Sequence, residues 1–441
     1  MWCQAGTEPA SHSVEFPHTG AMKLSGLIFA GWLLIHVASV AHGENWPGFR
    51  GPTGQGNSSE TGLPVHWTAT SNVLWKAGIP GLGWSSPIVY EDRVLLTTAV
   101  EEGASLRLIC LDRRTGKVQW DKEVFRQKTT RKENQNSFAT PTPVTDGRKV
   151  YVMSFNGGLA ALNLDGSPGW VNQDIHFYGQ HGPGVSLRVY KDILVIPFDG
   201  SSEGEDKTVG WQKPWDKSFL LAVDTQTGKV RWKTYRGLSR IAHVTPGLVS
   251  VNGRDLVVSG AGDVVQGFDL QTGELIWTIR SQGEGVVPSV VVGRGLVYAT
   301  TGFYSLVLRA MRPDGRGDVT ATHIAWEQKK NTPTVCSFTL AEARLLVLNE
   351  SGNLACLNAD TGEIIWNHRI QGHYSASPVA VGNRLYCLSE EGDTTVVDTQ
   401  PEFEVIARNP LEPKCQASPA ASQGCLFIRT ENNLYCIGER P

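Results

Sequence analysis

Residues 223–232 read Val-Asp-Thr-Gln-Thr-Gly-Lys-Val-Arg-Trp, and the same pattern returns without gaps at 111–120, 268–277 and 357–366. Its Asp or Asn can end a strand and accept hydrogen bonds from the N–H groups of a turn. Its Gly, two residues before an apolar position, supplies the positive φ that a short hairpin loop needs. A hairpin that recurs along the chain in this way predicts an all-β repeat protein.

A tryptophan ends each of these hairpins. Weaker copies of the hairpin extend the series, which we interpret as structural docking residues between neighbouring sheets: Trp75, Trp120, Trp170, Trp232, Trp277, Trp326 and Trp366, with Phe403 as an eighth and weaker member. Burying such a large apolar side chain is worth roughly 2–3 kcal/mol.

A second element precedes each hairpin, namely a small residue or Val, then Pro, then an apolar strand. Pro suits a strand start because it cannot donate to a ladder. We place these starts at Ser86-Pro87, Thr142-Pro143, Gly182-Pro183, Thr245-Pro246, Val287-Pro288, Thr332-Pro333, Ser377-Pro378 and Ser418-Pro419.

One unit is then four short antiparallel strands, and radial packing buries both faces of such a sheet. The last unit lacks its fourth strand, while residues 72–76 read as an orphan strand at the other end. The sequence therefore predicts an all-β, eight-bladed β-propeller of four-stranded antiparallel blades. Pairing of the N-terminal strand with the last blade would close the ring and remove an exposed edge. An open β-solenoid is the alternative.

The first 43 residues differ from the rest of the chain. An apolar run, Leu24–Val40, follows a short basic start at Met22-Lys23, and Ala41 and Gly43 suit a signal peptidase. This layout predicts a secretory signal peptide and a periplasmic or secreted protein, with Met22 as an alternative start. An uncleaved membrane anchor is the other interpretation. We divide the chain into a leader (1–43), an N-terminal extension (44–71) and the propeller (72–441).

Charge and cysteine content narrow the function. The chain has 40 Lys and Arg against 43 Asp and Glu, a net charge of −3, and no basic block. Nucleic acid is therefore not an expected partner. The cysteines include no Cys-x-x-Cys pair, so the sequence predicts no metal site of that kind.

The Asp-x-x-Thr-Gly-Lys-x-x-Trp element at 112–120 and 224–232 resembles the tryptophan-docking repeat of the pyrroloquinoline-quinone propeller superfamily. The resemblance extends from Trp75 to Ile437. The superfamily includes quinoprotein alcohol dehydrogenases, which hold the quinone and calcium on the propeller axis. It also includes non-catalytic members such as the propeller lipoprotein of the outer-membrane β-barrel assembly complex. Residues 45–52, Asn-Trp-Pro-Gly-Phe-Arg-Gly-Pro, resemble the start of other secreted bacterial propellers.

The enzyme branch of the superfamily makes demands that this sequence does not meet. Many of its members carry a disulfide between adjacent cysteines, and no Cys-Cys pair occurs here. The Glu/Asn/Asp calcium set cannot be placed on a matching motif, and Cys-x-x-Cys-His is absent. The resemblance thus implies a member closest to the non-catalytic secreted branch, although that branch's lipid-anchoring Cys is also missing. Whether the chain is an enzyme stays open.

Residues just before the Pro-led starts are expected to line one mouth of the axial channel. The side chains that could bind a ligand or partner there are His181, Arg240, His243, His373 and Tyr374. Such side chains converging on one concavity would form a binding site. The alternative is a water-filled funnel without a ligand.

The longest insertion, residues 199–216, supplies further candidates. Trp211 and Trp215 could form an aromatic platform for a partner or a sugar, or could pack the loop onto its blade. Four acids, Asp199, Glu203, Glu205 and Asp206, are calcium candidates, and a solvated loop is the alternative.

The sequence therefore favours a non-catalytic binding or scaffold propeller of the periplasm or cell envelope. It would present loops and an axial funnel to a protein or another envelope component, without a cofactor. The alternatives are an oxidoreductase using pyrroloquinoline quinone and calcium, and a carbohydrate-binding propeller.

Overall fold

Short antiparallel strands make up nearly all of the regular structure. The structure, a computed structural model, describes residues 43–400 and 402–439. The signal-peptide prediction falls on residues that lie outside these ranges. Within them the one helical segment is a 3₁₀ turn, Glu101–Gly103. No helix in the described part is long and apolar enough to span a bilayer.

The strands form eight separate sheets, each with four principal strands, and the predicted propeller is confirmed. The first four blades follow one another along the chain. Blade 1 consists of Ile88–Tyr90, Arg93–Val100, Ser105–Asp112 and Val118–Arg126; blade 2 of Val144–Thr145, Lys149–Met153, Leu159–Asn163 and Pro168–Asn172; blade 3 of Arg188–Tyr190, Ile193–Phe198, Phe219–Asp224 and Val230–Tyr235; blade 4 of Gly247–Val251, Arg254–Gly260, Val264–Asp269 and Leu275–Arg280.

The remaining blades continue in the same order. Blade 5 consists of Val291–Gly293, Leu296–Thr300, Leu308–Met311 and Ile324–Gln328; blade 6 of Thr339–Ala341, Arg344–Leu348, Asn353–Asn358 and Ile364–Arg369; blade 7 of Val379–Val381, Arg384–Leu388, Asp393–Asp398 and Glu404–Pro410; blade 8 of Ala420–Ser422, Cys425–Arg429, Asn433–Ile437 and Val73–Gly78. Two short strands add parallel edges: Asn57–Ser58 on blade 7 and Gly317–Asp318 on blade 4.

Blade 8 joins the two ends of the propeller. Val73–Gly78 pairs antiparallel with Asn433–Ile437, so that Trp75 lies opposite Cys436 and Ala77 opposite Leu434. The orphan N-terminal strand thus supplies the fourth strand that the last unit lacks. This pairing satisfies backbone groups at what would otherwise be an open edge.

The first strand of each blade is the innermost, because first strands of neighbouring blades contact one another. One hydroxyl residue stands at the start of each first strand, and together they form what we call the hydroxyl ring: Ser86, Thr142, Ser186, Thr245, Ser289, Ser337, Ser377 and Ser418. At six of the junctions a ring residue's N–H donates to the hydroxyl oxygen of the next blade, at 2.9–3.1 Å. Buried backbone N–H groups need such partners.

The ring corrects three of the predicted strand starts. In blades 3, 5 and 6 the ring residue precedes Leu187, Val290 and Phe338 rather than Pro. The prolines assigned to those blades, in Gly182-Pro183, Val287-Pro288 and Thr332-Pro333, lie in the preceding loops. The feature that all blades share is therefore the hydroxyl residue, and not the proline; at six junctions its oxygen accepts an interblade hydrogen bond.

Tryptophans dock each blade onto the next. Five indole N–H groups donate to a carbonyl in or beside the hairpin turn of the following blade, at 2.7–3.2 Å: those of Trp75, Trp120, Trp170, Trp232 and Trp326. Trp277 is fully buried, because the extended turn of blade 5 places Gly317–Asp318 beside it. Trp366 instead packs on Phe403 of blade 7, with ring centroids 5.3 Å apart.

The glycine of the hairpin turn packs directly against the tryptophan of the preceding blade, as Gly228 does against Trp170. This contact yields a testable prediction. Gly228 has φ +71°, and a Cβ there would lie 2.5 Å from Trp170, whereas Gly253 has φ +76° and open space around it. We expect Gly253→Ala to cost about 1–2 kcal/mol from backbone strain alone. Gly228→Ala should cost about 1–3 kcal/mol more, because the tryptophan must move. Equal losses in denaturant unfolding would mean that the indole does not dock on the turn.

The segment 44–60, which we call the plug, crosses one end of the ring. It forms backbone or side-chain hydrogen bonds with blades 1, 2, 3, 5, 6, 7 and 8: Trp46 with Val89, Pro47 with Thr145, Phe49 with Arg188, Gln55 with Val292, Asn57 with Leu340, Gly56 with Ala380, and Glu60 with Gln423 and Gly424. Trp46 and Arg50 are buried. These contacts lie beyond the hydroxyl ring along the first strands, so the plug covers the end of the channel opposite the ring.

Candidate binding site in the axial funnel

A cavity of about 770 Å³ occupies the propeller axis on the side of the hydroxyl ring. Six ring residues line it, from blades 1, 3, 4, 6, 7 and 8: Ser86, Ser186, Thr245, Ser337, Ser377 and Ser418. Phe49 of the plug also lines it and thereby closes its inner end. The loops that lead into the first strands form its mouth. We call this cavity the funnel.

Three of the predicted binding residues meet in the funnel: His181, His243 and Trp211. The His181 ring lies 5.7 Å from the Trp211 ring, edge to face, and 6.1 Å from the His243 ring. The backbone N–H of His243 donates to the Val286 carbonyl at 2.7 Å, and this bond joins the loop before blade 4 to the loop before blade 5. Two histidines and an indole therefore share one wall.

A carboxylate completes this wall. Glu284 lines the funnel and is only 7% exposed. Burial raises the pKa of Glu284, while a hydrogen bond from Trp211 and the charge of Arg240 oppose that rise. The Glu284 carbonyl accepts the N–H of Phe303 at 2.8 Å, and Phe303 and Tyr304 line the mouth beside it. Tyr304 is 89% exposed, so an aromatic side chain stands at the entrance.

Sequence reasoning missed Glu284, Phe303 and Tyr304, although one signal was present. Glu284 lies between two glycines, and Gly283 and Gly285 have φ values of +146° and +62°. A Cβ on the nearby Gly302 would lie 2.0 Å from the Glu284 carbonyl oxygen. Such close backbone approach requires glycine. Glycines on both sides of an acid thus marked a loop built to hold that acid in place.

The structure does not bring the other three mouth residues into the funnel. Arg240 donates to Gly283 O at 3.2 Å and supports the Glu284 loop from behind. Tyr374 is buried, with its hydroxyl on Gln371 O, and belongs to the core between blades 6 and 7. His373 is exposed and contacts Glu391 at 2.7 Å. The expectation that these side chains converge with the histidines is therefore wrong, because the loop before blade 7 turns into the core.

The insertion in blade 3 does not form the predicted calcium set. Asp199 is buried in an ion pair with Arg236, while Glu203 contacts His176 at 2.8 Å and Asp206 contacts Lys213 at 2.7 Å. Glu205 is exposed. Among the described residues no group of three or more His, Cys, Asp or Glu side chains has metal-binding geometry. Each of the three paired acids already has its own partner.

The two tryptophans of the insertion also separate. Trp211 lines the funnel, whereas Trp215 is absent from its lining and pairs through its backbone with Ser239, at 2.7 and 3.0 Å. The insertion is thus pinned at Ser239, and Trp211 is the part that reaches the cavity. A shared platform of the two indoles does not follow from this arrangement.

The funnel histidines give a pH-dependence prediction. Burial lowers the pKa of His243 to about 3 and also lowers that of His181. An unfolded histidine titrates near 6.5, so the unfolded chain binds more protons below that pH and stability falls with falling pH. Between about pH 6.5 and 5, the wild type should lose roughly 2 kcal/mol more than His243→Gln.

Denaturant unfolding at the two pH values measures this difference. The matched control is His66→Gln, since His66 is exposed and remote from the funnel. It should keep the wild-type pH dependence. If His243→Gln also keeps it, His243 is not held in its neutral form by burial.

Comparison with known proteins places the chain in a family. Its sequence matches the PQQ_2 family, described as outer membrane protein assembly factor BamB, over residues 58–192, 216–335 and 316–401. The chain belongs to this family. The PQQ_2 relative BamB of Yersinia pestis is 24% identical over 206 residues, which is 41% of this chain. The match spans 50% of that relative's length.

Solved structures share the PQQ_2 fold. BamB from Moraxella catarrhalis superposes with a TM-score of 0.57 at 14% identity, over 83% of this chain and 97% of that chain. A europium-containing methanol dehydrogenase superposes with a TM-score of 0.50 at 10% identity, over 88% of this chain and 90% of that chain. At these identities the likeness shows the fold alone.

The funnel lining does not fit the quinone that the dehydrogenase branch would imply. Pyrroloquinoline quinone is a tricarboxylic acid, and such a ligand requires cationic partners. Among the described residues the funnel lining carries two carboxylates, Glu133 and Glu284, and neither Lys nor Arg. Like charges in a partly buried cavity repel, and the described residues include no group of three or more His, Cys, Asp or Glu side chains that could hold the calcium that accompanies the quinone. No reaction step through a quinone follows from this cavity.

Proposed function

We propose that this protein is a non-catalytic binding scaffold of the cell envelope, and that its funnel mouth receives a protein partner. The observation that carries the proposal is the difference between the two ends of the ring. The plug covers one end and forms hydrogen bonds with the blades around it. The other end opens into a funnel whose rim includes Phe303 and Tyr304. Exposed aromatic side chains around a pocket are typical of protein interfaces.

Family membership supports the same proposal. The PQQ_2 family is described as outer membrane protein assembly factor BamB, and the relative in Yersinia pestis has the same name. A rigid ring that presents loops suits such a role, since the loops vary while the scaffold stays fixed. Export through the predicted signal peptide would bring this chain to the periplasm or beyond, where envelope partners are found.

Site-specific photocrosslinking in the native cell envelope tests the proposal. A photoreactive amino acid at Tyr304 should form a discrete crosslinked protein band. The matched control is Val171, which is 61% exposed on the outermost strand of blade 2. Bands from Val171 and none from Tyr304 would place the partner on the blade exterior and overturn the proposal. So would the absence of bands from both positions.

A further inference from the structure

The ionisable side chains that line the funnel include two carboxylates but no Lys or Arg among the described residues. Glu133 lies at the mouth, where Arg131 approaches to 3.7 Å, so its charge is partly matched. Glu284 is 7% exposed as a residue and has no Lys or Arg nitrogen within 4.0 Å among the described residues. A carboxylate in such a recess attracts a cation more strongly than one on an open surface, because water screens its charge less.

The other titratable groups on this wall do not supply that cation. His243 and His181 have lowered pKa values because they are buried, so both are neutral near pH 7. Arg240 donates to the Gly283 carbonyl behind the loop and does not line the funnel, so its charge acts on Glu284 only from a distance beyond an ion pair. The two histidines therefore add no positive charge to this wall at neutral pH.

Aromatic rings surround the carboxylate. Trp211 lines the funnel together with Glu284, and the Phe303 backbone N–H donates to the Glu284 carbonyl. Tyr304 extends the same surface to the mouth. Long basic side chains suit such surroundings, since the aliphatic stem packs on rings while the charged head meets a carboxylate or a π face.

The hydroxyl ring adds hydrogen-bond donors at the base of the funnel. The hydroxyl oxygens of Ser186, Thr245 and Ser377 each accept a backbone N–H, which leaves the hydroxyl hydrogen free to donate. Such hydrogens match the carbonyl oxygens of a polypeptide. A cavity of about 770 Å³ has room for more than one side chain.

From this geometry we propose that the funnel binds a Lys or Arg side chain carried by an extended segment of the protein partner, with Glu284 as the anionic contact. This inference rests on the proposed function and adds the chemistry of the segment that enters. Glu284 is 7% exposed, so a side chain of the segment must enter the funnel to contact it.

Isothermal titration calorimetry with short capped peptides tests the inference. The probe is acetyl-Gly-Gly-Arg-Gly-Gly-amide, and the comparison peptides carry Gln or Glu in place of Arg. The Arg peptide should bind at least tenfold more tightly than either. Glu284→Gln should weaken Arg-peptide binding at least tenfold and remove most of its salt dependence. Equal binding of the Arg and Gln peptides would overturn the inference.

Glu363→Gln is the matched control, since it makes the same change at an exposed position in a hairpin turn of blade 6. It should bind the Arg peptide like the wild type, and weakened binding there would overturn the assignment to Glu284. Thermal unfolding of both variants verifies that they fold. If Tyr304 forms crosslinks but the Arg peptide binds no more tightly than the Gln peptide, this inference is wrong while the proposed function stands. Loss of the Tyr304 crosslinks would sink both.

Discussion

Asp199→Ala is expected to lower the free energy of unfolding by about 3–5 kcal/mol, because it leaves the Arg236 guanidinium as an uncompensated buried charge. The two side chains are 1% and 0% exposed, and Arg236 Nη2 lies 3.0 Å from Asp199 Oδ2. Arg236 also donates to Ser259 Oγ at 2.6 Å. The pair fastens blade 3 to blade 4 at the point where the blade-3 insertion begins.

The matched control is Asp206→Ala, in the same insertion. Asp206 pairs with Lys213 at 2.7 Å, but both side chains are about half exposed or more. Exposed ion pairs contribute about 0–1 kcal/mol, so this variant should remain close to wild type in chemical denaturation. A double variant, Asp199→Leu with Arg236→Met, should recover much of the loss, since it removes both charges. Equal losses for Asp199→Ala and Asp206→Ala would contradict the structure.

The second large effect is expected in the plug. Trp46→Ala should lower the free energy of unfolding by about 3–5 kcal/mol, as for other fully buried aromatic side chains. Trp46 is 0% exposed and belongs to the core shared with blades 1, 7 and 8. Its removal would leave a cavity at the end of the ring where seven blades are joined by one segment.

Trp46→Phe measures how much of this loss depends on the size of the ring. Among the described residues the Trp46 Nε1 has no hydrogen-bond partner, so Phe loses only part of the packing and should cost less than half as much as Ala. Calorimetric or denaturant unfolding of the two variants measures both values. A Trp46→Ala protein as stable as the wild type would show that residues 44–60 merely rest on the propeller.

The fold could be predicted from the sequence because one hairpin motif recurs. At 111–120, 223–232 and 357–366, a strand, a turn with positive φ and a tryptophan have the same spacing. Each copy needs a neighbour to cover its tryptophan, and that need specifies a ring. The three misplaced strand starts show where the Pro-led pattern fails. The residue that follows the ring hydroxyl can be Leu, Val or Phe as well as Pro.

The funnel was only partly predictable. His181, His243 and Trp211 were expected to be binding residues, and the structure brings them together. Glu284 and Tyr304 were not foreseen, because they belong to loops of blade 5, whose hairpin departs from the motif. Tyr374 was misplaced because its loop turns into the core, a path that local sequence does not fix. Non-repeating loops are set by contacts between blades, and these cannot be read from spacing.

The plug is a second segment whose position is set by contacts between distant parts of the chain. Residues 45–52 stood out as a motif without an assigned role, and their contacts are with residues far away in sequence, such as Arg188 and Phe338. Only the closed ring brings those partners together. Because the plug occupies one end, it also determines which end can receive a partner.

Hydrogen exchange of the plug amides tests this account most directly. The Trp46 N–H donates to Val89 O and the Gly56 N–H to Arg50 O, at 2.8 and 2.9 Å. Both amides should exchange as slowly as the Leu95 amide, which lies in the second strand of blade 1 between Ile88 and Cys110 and does not contact the plug. Exchange of Trp46 and Gly56 at the rate of an unstructured chain, with Leu95 still protected, would mean that the propeller is open at both ends.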